Sequence, residues 1–371
     1  MNNVSRRDWL KGGTALAGAL LMGSSANAQN MAVPGFVPTP ENPIRLGTNE
    51  NPYGVSRVAR NAIIDMFDTA HQYGRGKRAE LMKTLADMEG VETKNLHFSG
   101  GSGEILKTLG MIEGIEGGHV LTAQPTYHDL TRSAERHGAK ITRIPVDETM
   151  TIDLDALKAA YTDDVTLIYL VNPNNPLPRI LEKTKLKDFC IEMSKKCRVF
   201  IDEAYHEYVQ NPDYETMIPS IKDHENIMIA RTASKIHAFA GIRFGIAYSS
   251  EKWIARLRLY MTGSTNQLAI AGAAASYKDT ATQDFLRRKN QESLKIVYDV
   301  FDKHNVNYVK SNANFIFFET GQDITEVRKK FRDNGIIVGR PFEPFLTWCR
   351  VSMGKPEDME YFVKIYEKEF T

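Results

Sequence analysis

The chain has 371 residues, 42% of them hydrophobic and 25% charged, which is enough for a large core and for two domains. A formal net charge of +1 gives no bulk attraction to nucleic acid or anionic lipid. Its three cysteines, Cys190, Cys197 and Cys349, are odd in number and lack metal-ligand spacing, and the nine histidines contain no HExxH arrangement, so neither a disulfide framework nor a zinc site is expected.

The first element in chain order is a leader. Ser5-Arg6-Arg7-Asp8-Trp9-Leu10-Lys11 sets two adjacent arginines ahead of a mildly apolar stretch from Thr14 to Met22 and a small-residue site at Ala26-Asn27-Ala28. Basic region, apolar region and cleavage site in that order read as a twin-arginine export signal over residues 1–28, with a periplasmic destination. The apolar part is short of the roughly 20 residues a bilayer span takes, so no stable membrane anchor is expected.

Beyond the leader, helical patterns run from Arg78 to Met88 and from Lys183 to Ser194. Strands read near His119 to Ala123, Lys140 to Pro145, Thr166 to Val171, Val199 to Asp202, Ile227 to Arg231 and Phe244 to Ser249. From about Ser264 a long helical stretch continues through Asp302, followed by strand, helix, strand and helix. The alternation implies an α/β fold, a mostly parallel sheet covered by helices on both faces, with a smaller α/β domain. The expected division is an amino-terminal arm over residues 29–53 that joins the small domain, a large domain over 54–268 and a small domain over 269–371.

Chemistry-bearing residues sit at the joints of these elements. Asp202 ends the apolar run Arg198-Val199-Phe200-Ile201 and would emerge at a strand's carboxyl end, where ligands of open α/β sheets bind. Lys235, in Thr232-Ala233-Ser234-Lys235, can form a Schiff base with an aldehyde cofactor, and Asp202 can pair with that cofactor's pyridinium nitrogen. Tyr205 and Asn175 can both hydrogen-bond its phenolic oxygen. Gly100-Gly101-Ser102-Gly103-Glu104 precedes the helical run Ile105, Leu106, Leu109, so backbone N–H groups around Ser102 and Gly103 would point at an anion. Thr232, Ser234 and Arg243 complete that cradle. The cofactor implied is pyridoxal 5′-phosphate.

In this order and spacing the residues resemble fold-type I pyridoxal phosphate-dependent aminotransferases, closest to the histidinol-phosphate aminotransferase family. The resemblance implies that Asn51 and Tyr53, in Asn49-Glu50-Asn51-Pro52-Tyr53-Gly54, contribute to the substrate pocket. It also implies that Tyr127 stacks on the cofactor ring, that Arg350 grips the substrate's acid group, and that Tyr73 reaches the phosphate bound by the other subunit of a homodimer. Catalytic work would fall to Lys235, Asp202 and Tyr205, moving an amino group from an amino acid or amine donor to a 2-oxo acid such as 2-oxoglutarate.

Three departures from the family pattern stand out. Leu177-Pro178-Arg179 follows the Asn174-Asn175-Pro176 motif where Thr-Gly is common, Gly103 replaces an acid, and Gly339 intervenes before Arg340. A lyase or decarboxylase on the same scaffold, and a delivery protein for the cofactor, stay open as alternatives. His237, two residues past Lys235, reads as a pocket-wall or packing residue.

Overall fold

A computed structural model of the chain describes residues 37–74 and 76–371, and the export leader expected over residues 1–28 lies outside them. The main sheet has seven strands: β2 (Leu96–Ser99), β3 (His119–Gln124), β4 (Lys140–Pro145), β5 (Leu167–Val171), β6 (Arg198–Asp202), β7 (Ile227–Thr232) and β8 (Gly245–Ser249). Their spatial order is β2-β8-β7-β6-β5-β3-β4, and only β8 runs antiparallel to its neighbours. The expected α/β fold therefore forms. Strand β2 is the one the sequence does not announce, because four residues give too few alternations for a period of two to show.

Period-two alternation divides the apolar side chains between two layers. On β5, Ile168 and Leu170 face a core with Leu85, Leu186, Phe189 and Ile270, from helices Gly76–Glu89, Lys183–Met193 and Gln267–Lys278. Leu167, Tyr169 and Val171 face the opposite core, with Leu106 and Leu109 of helix Ser102–Ile115 and Trp253 and Leu257 of helix Glu251–Tyr260. Both sheet faces are thus dry, which is why the central strands read as continuous apolar runs.

The helical stretch expected from Ser264 to Asp302 is two helices, Gln267–Lys278 and Thr280–Lys303. Asp279 breaks it, because its carboxylate accepts from the Thr282 N–H at 3.1 Å and so caps the second helix.

A second apolar core surrounds a three-stranded sheet of β9 (Tyr308–Val309), β10 (Phe315–Glu319) and β12 (Trp348–Ser352), in the order β12-β10-β9. Here too alternation decides placement. Cys349 and Val351 of β12 enter this core, so Arg350 and Ser352 face the other way. The amino-terminal segment joins the same core: β1 (Ile44–Arg45) pairs in parallel with β11 (Ile336–Ile337), and Ile44 and Leu46 pack against Phe331 and Val351.

Candidate active site

A cavity of about 1240 Å³ lies where β5, β6 and β7 end, lined at those ends by Val171, Asp202 and Thr232. This is the crevice at the carboxyl ends of parallel strands that open α/β sheets use for ligands. It gathers nearly all of the residues singled out in the sequence: Ser102, Gly103, Tyr127, Asn175, Asp202, Tyr205, Thr232, Ser234, Lys235, Arg243 and Arg350.

Asp202 is buried, and the Ala204 N–H donates to its Oδ1 at 3.1 Å. Burial pushes its carboxyl up to about 7, against the pull of the Ala204 N–H and of the Lys235 charge. The Lys235 ammonium donates to the Asn49 carbonyl at 3.4 Å and lies 5.4 Å from the centre of the Tyr205 ring. Tyr205 Oη in turn accepts from Asn49 Nδ2 at 2.9 Å and from Asn175 Nδ2 at 3.4 Å. With both acceptances made, the hydroxyl's own proton is free to be donated into the cavity.

The residues expected to cradle an anion lie together at the amino terminus of helix Ser102–Ile115. Gly101 caps helix Ser102–Ile115 with φ of 93°, a left-handed angle that glycine adopts without penalty. A Cβ there would also come within 2.7 Å of the Arg243 guanidinium carbon, so glycine lets the arginine close over the helix amino terminus. Thr232 Oγ1 donates to Ser234 Oγ at 2.9 Å, and Arg243 Nη1 approaches the same oxygen at 3.4 Å while donating to the Ala240 carbonyl at 2.8 Å. Arg243 itself holds φ of 71°, and such strain in a non-glycine residue concentrates at binding sites.

On the opposite wall Arg350 is buried, with Nη1 donating to Asn175 Oδ1 at 2.8 Å and Nη2 to the Gly47 carbonyl at 2.5 Å. Its Nε has no hydrogen-bond partner among the described residues. Burial lowers its pKa to about 10, which still leaves it charged near neutral pH. The ring of Phe342 lies 5.0 Å from the Arg350 guanidinium and 4.1 Å from that of Arg340. Arg340 approaches His128 Nδ1 at 2.7 Å, and burial together with this cation lowers the His128 pKa to about 4.

Two expected pocket residues are not brought into the cavity. Asn51 spends its side chain inside the protein, donating to the Ile236 carbonyl at 2.7 Å and accepting from the Tyr53 N–H at 2.9 Å. Tyr53 packs edge-on against Phe285 at 5.4 Å. Tyr73 is fully exposed and is not among the residues that line the cavity. Leu177 is buried beside Phe317, Phe342 and Trp348, so it shapes the wall through packing. The residue missed from sequence is Asn49, which holds both Tyr205 and the lysine. Its φ of 55° is a conformation asparagine tolerates, but nothing in Thr48-Asn49-Glu50 distinguishes it from a turn residue.

Comparison with known proteins decides the family. A model of aminotransferase class I and II matches residues 41–365. The chain belongs to the class I and II aminotransferases. This aminotransferase is similar to histidinol-phosphate aminotransferase of Brevibacillus brevis, at 34% identity over 334 residues covering 88% of this chain and 90% of that one. It is also similar to a crystal structure from Erwinia carotovora atroseptica with a provisional histidinol-phosphate aminotransferase name, with TM-score 0.86 and 30% identity over 90% and 98% of the two chains. The fold is shared with the Sinorhizobium meliloti histidinol-phosphate aminotransferase in complex with pyridoxal 5′-phosphate, with TM-score 0.80 and 21% identity over 93% and 99%.

The donor set of the aminotransferase fits that cofactor. A buried carboxyl held near 7, with no cation within salt-bridge distance among the described residues, suits a ring nitrogen that carries a proton. A helix amino terminus closed by Arg243 suits a phosphate.

Proposed function

We propose that this pyridoxal phosphate-dependent aminotransferase moves an amino group from an amino acid or amine to a 2-oxo acid such as 2-oxoglutarate, with Lys235 as the proton carrier. The observation that supports this most is the meeting, in one cavity, of Lys235, Asp202, Tyr205 and a buried Arg350 that has no carboxylate partner among the described residues. Pyridoxal 5′-phosphate, when bound, supplies an electron sink for the charge left on the substrate's alpha carbon.

The chain's own groups do the rest. Asp202 keeps the cofactor's ring nitrogen protonated, and Tyr205 with Asn175 donates to its phenolic oxygen. Ser102, Gly103, Thr232, Ser234 and Arg243 hold the phosphate, and Tyr127 covers the ring. Arg350 grips the substrate carboxylate in a forked contact that lysine cannot copy. With the cofactor bound, Lys235 Nζ would carry the proton taken from the substrate's alpha carbon.

The amino donor is tested by stepwise addition of glutamate, aromatic amino acids and histidinol phosphate to the cofactor-loaded enzyme. Loss of the visible band with one donor and its recovery with 2-oxoglutarate is the expected result; carbon dioxide release without recovery would overturn transamination in favour of decarboxylation. We also propose that residues 1–28 direct the enzyme to the periplasm through the twin-arginine machinery, and that Tyr73 serves the partner's phosphate in a homodimer. Cell fractionation of Arg6→Lys/Arg7→Lys checks the first, with retention of the double variant in the cytoplasm expected. Mixed dimers of Tyr73→Phe and Lys235→Ala subunits check the second.

A further inference from the structure

The buried polar cluster that the site does not account for is Glu207, His237 and Ser276. His237 Nε2 lies 2.6 Å from Glu207 Oε1, and its Nδ1 lies 2.7 Å from Ser276 Oγ. The His237 side chain is 1% exposed and that of Glu207 is 8% exposed. Tyr277 covers the imidazole, with ring centres 4.2 Å apart. None of the three lines the cavity.

Their positions in the chain give the cluster its meaning. Glu207 stands two residues after Tyr205 and His237 two residues after Lys235. The contact therefore ties the backbone that carries the tyrosine to the backbone that carries the lysine, from underneath. Ser276 anchors the tie to helix Gln267–Lys278, and Arg287 fixes the other end by donating to the Glu207 carbonyl at 3.1 Å. Tyr208, Ile236 and Leu286 pack together beside it, so the apolar contacts alone already hold the two segments near each other. What the polar pair adds is direction. A short bond between two buried groups tolerates little displacement, whereas apolar contacts slide at small cost.

We propose that His237 is a positioning residue, which through Glu207 sets the separation of Lys235 from Tyr205 and thereby the acidity of the lysine when it is joined to the cofactor. The proposal rests on the reading of Lys235 as the cofactor lysine. The charged and titratable groups facing the pair are His206, whose Nε2 is 4.0 Å from Glu207 Oε1, together with Tyr277 and the Arg287 and Arg231 guanidinium groups. Burial works to raise the Glu207 carboxyl, but the His237 ring bonded to it outweighs this and holds it down to about 2, so the glutamate is an anion throughout the working range, where burial keeps His206 neutral by lowering it to about 3.

The test is a spectroscopic pH titration of the cofactor-loaded enzyme for His237→Phe, His237→Gln and Glu207→Gln, with kcat and KM measured alongside. His237→Phe is expected to move the midpoint of the visible band by half a unit or more and to lower kcat by about 10- to 100-fold, the scale of sub-ångström to 1 Å misplacements, with KM for the donor within about twofold. His237→Gln, which keeps a donor toward Glu207, is expected to recover much of both. A folded His237→Phe with unchanged midpoint and kcat overturns the proposal. Should that variant lose its circular dichroism, Glu207→Gln decides, because it removes the charge and keeps the shape: a shifted midpoint supports the proposal and an unshifted one overturns it. Lys235→Ala is the control. If it keeps the visible band, the reading of the lysine falls; if it loses the band while the other variants match the wild type, only the role of His237 falls.

Discussion

Asn49 Nδ2 donates to Tyr205 Oη at 2.9 Å across 156 positions of chain, and the Asn49 carbonyl accepts from Lys235 Nζ and Asn314 Nδ2. The Asn49 backbone N–H donates to Ser352 Oγ at 2.7 Å, and that hydroxyl returns a bond to Asn49 Oδ1 at 2.9 Å. One residue of the amino-terminal segment thus joins β12, the segment after β6 and the lysine loop.

Asn49→Gly and Asn49→Ala separate the side chain from the backbone. Both remove a donor from Tyr205, and kcat is expected to fall about tenfold in each, the size of one net hydrogen bond. Alanine alone is strained at φ of 55°, so Asn49→Ala should lose roughly a further 1 kcal/mol of stability by denaturant melting. Equal kcat for Asn49→Gly and wild type would sink the assigned contact.

The buried carboxyl of Asp202 makes the stability of the cofactor-free chain depend on pH. Its folded value, about 7, stands above the ordinary value of about 3.9, so between the two the folded state keeps a proton that the unfolded state has lost. The contribution is complete below about pH 4 and is lost as the pH rises through 7. Asp202→Asn stays neutral, so its stability relative to wild type should climb by roughly 4 kcal/mol from pH 4 to pH 8, at 1.36 kcal/mol per unit. Urea midpoints at the two pH values read this directly, and parallel behaviour of the two chains would contradict it.

Arg350→Lys keeps the charge and loses the fork. The KM for 2-oxoglutarate should rise about 10- to 100-fold with a smaller change in kcat, since a bidentate contact becomes a point contact. A KM unchanged by this substitution would place the acid group elsewhere.

Gly339 backs onto the same arginine. A Cβ there would lie 2.7 Å from the Arg350 carbonyl oxygen and 3.1 Å from its Cβ. Gly339→Ala should therefore cost about 1–3 kcal/mol in thermal unfolding and raise the KM for the acid substrate, whereas Gly76→Ala, with open space around it, should do neither. Arg340, the next residue, carries its side chain to Phe342 and His128.

What the sequence by itself determined is whatever repeats over a few residues. The continuous apolar run Val199-Phe200-Ile201 puts Asp202 at the end of a buried strand, and alternation along Trp348-Cys349-Arg350-Val351-Ser352 turns Arg350 and Ser352 away from the core. The glycines before Ser102 announce a helix amino terminus, and Lys235 follows its strand within three residues. Only the tertiary structure decided which of the amino-terminal residues enters the cavity. Asn49, Asn51 and Tyr53 have the same local credentials, but the pairing of β1 with β11 carries Asn49 to Tyr205 and leaves the other two bonded to Ile236 and packed on Phe285. The same holds for His237, whose burial against Glu207 depends on how two loops from neighbouring strands pack on helix Gln267–Lys278. Contacts between distant positions are set by the packing of whole elements, and short sequence patterns carry no record of it.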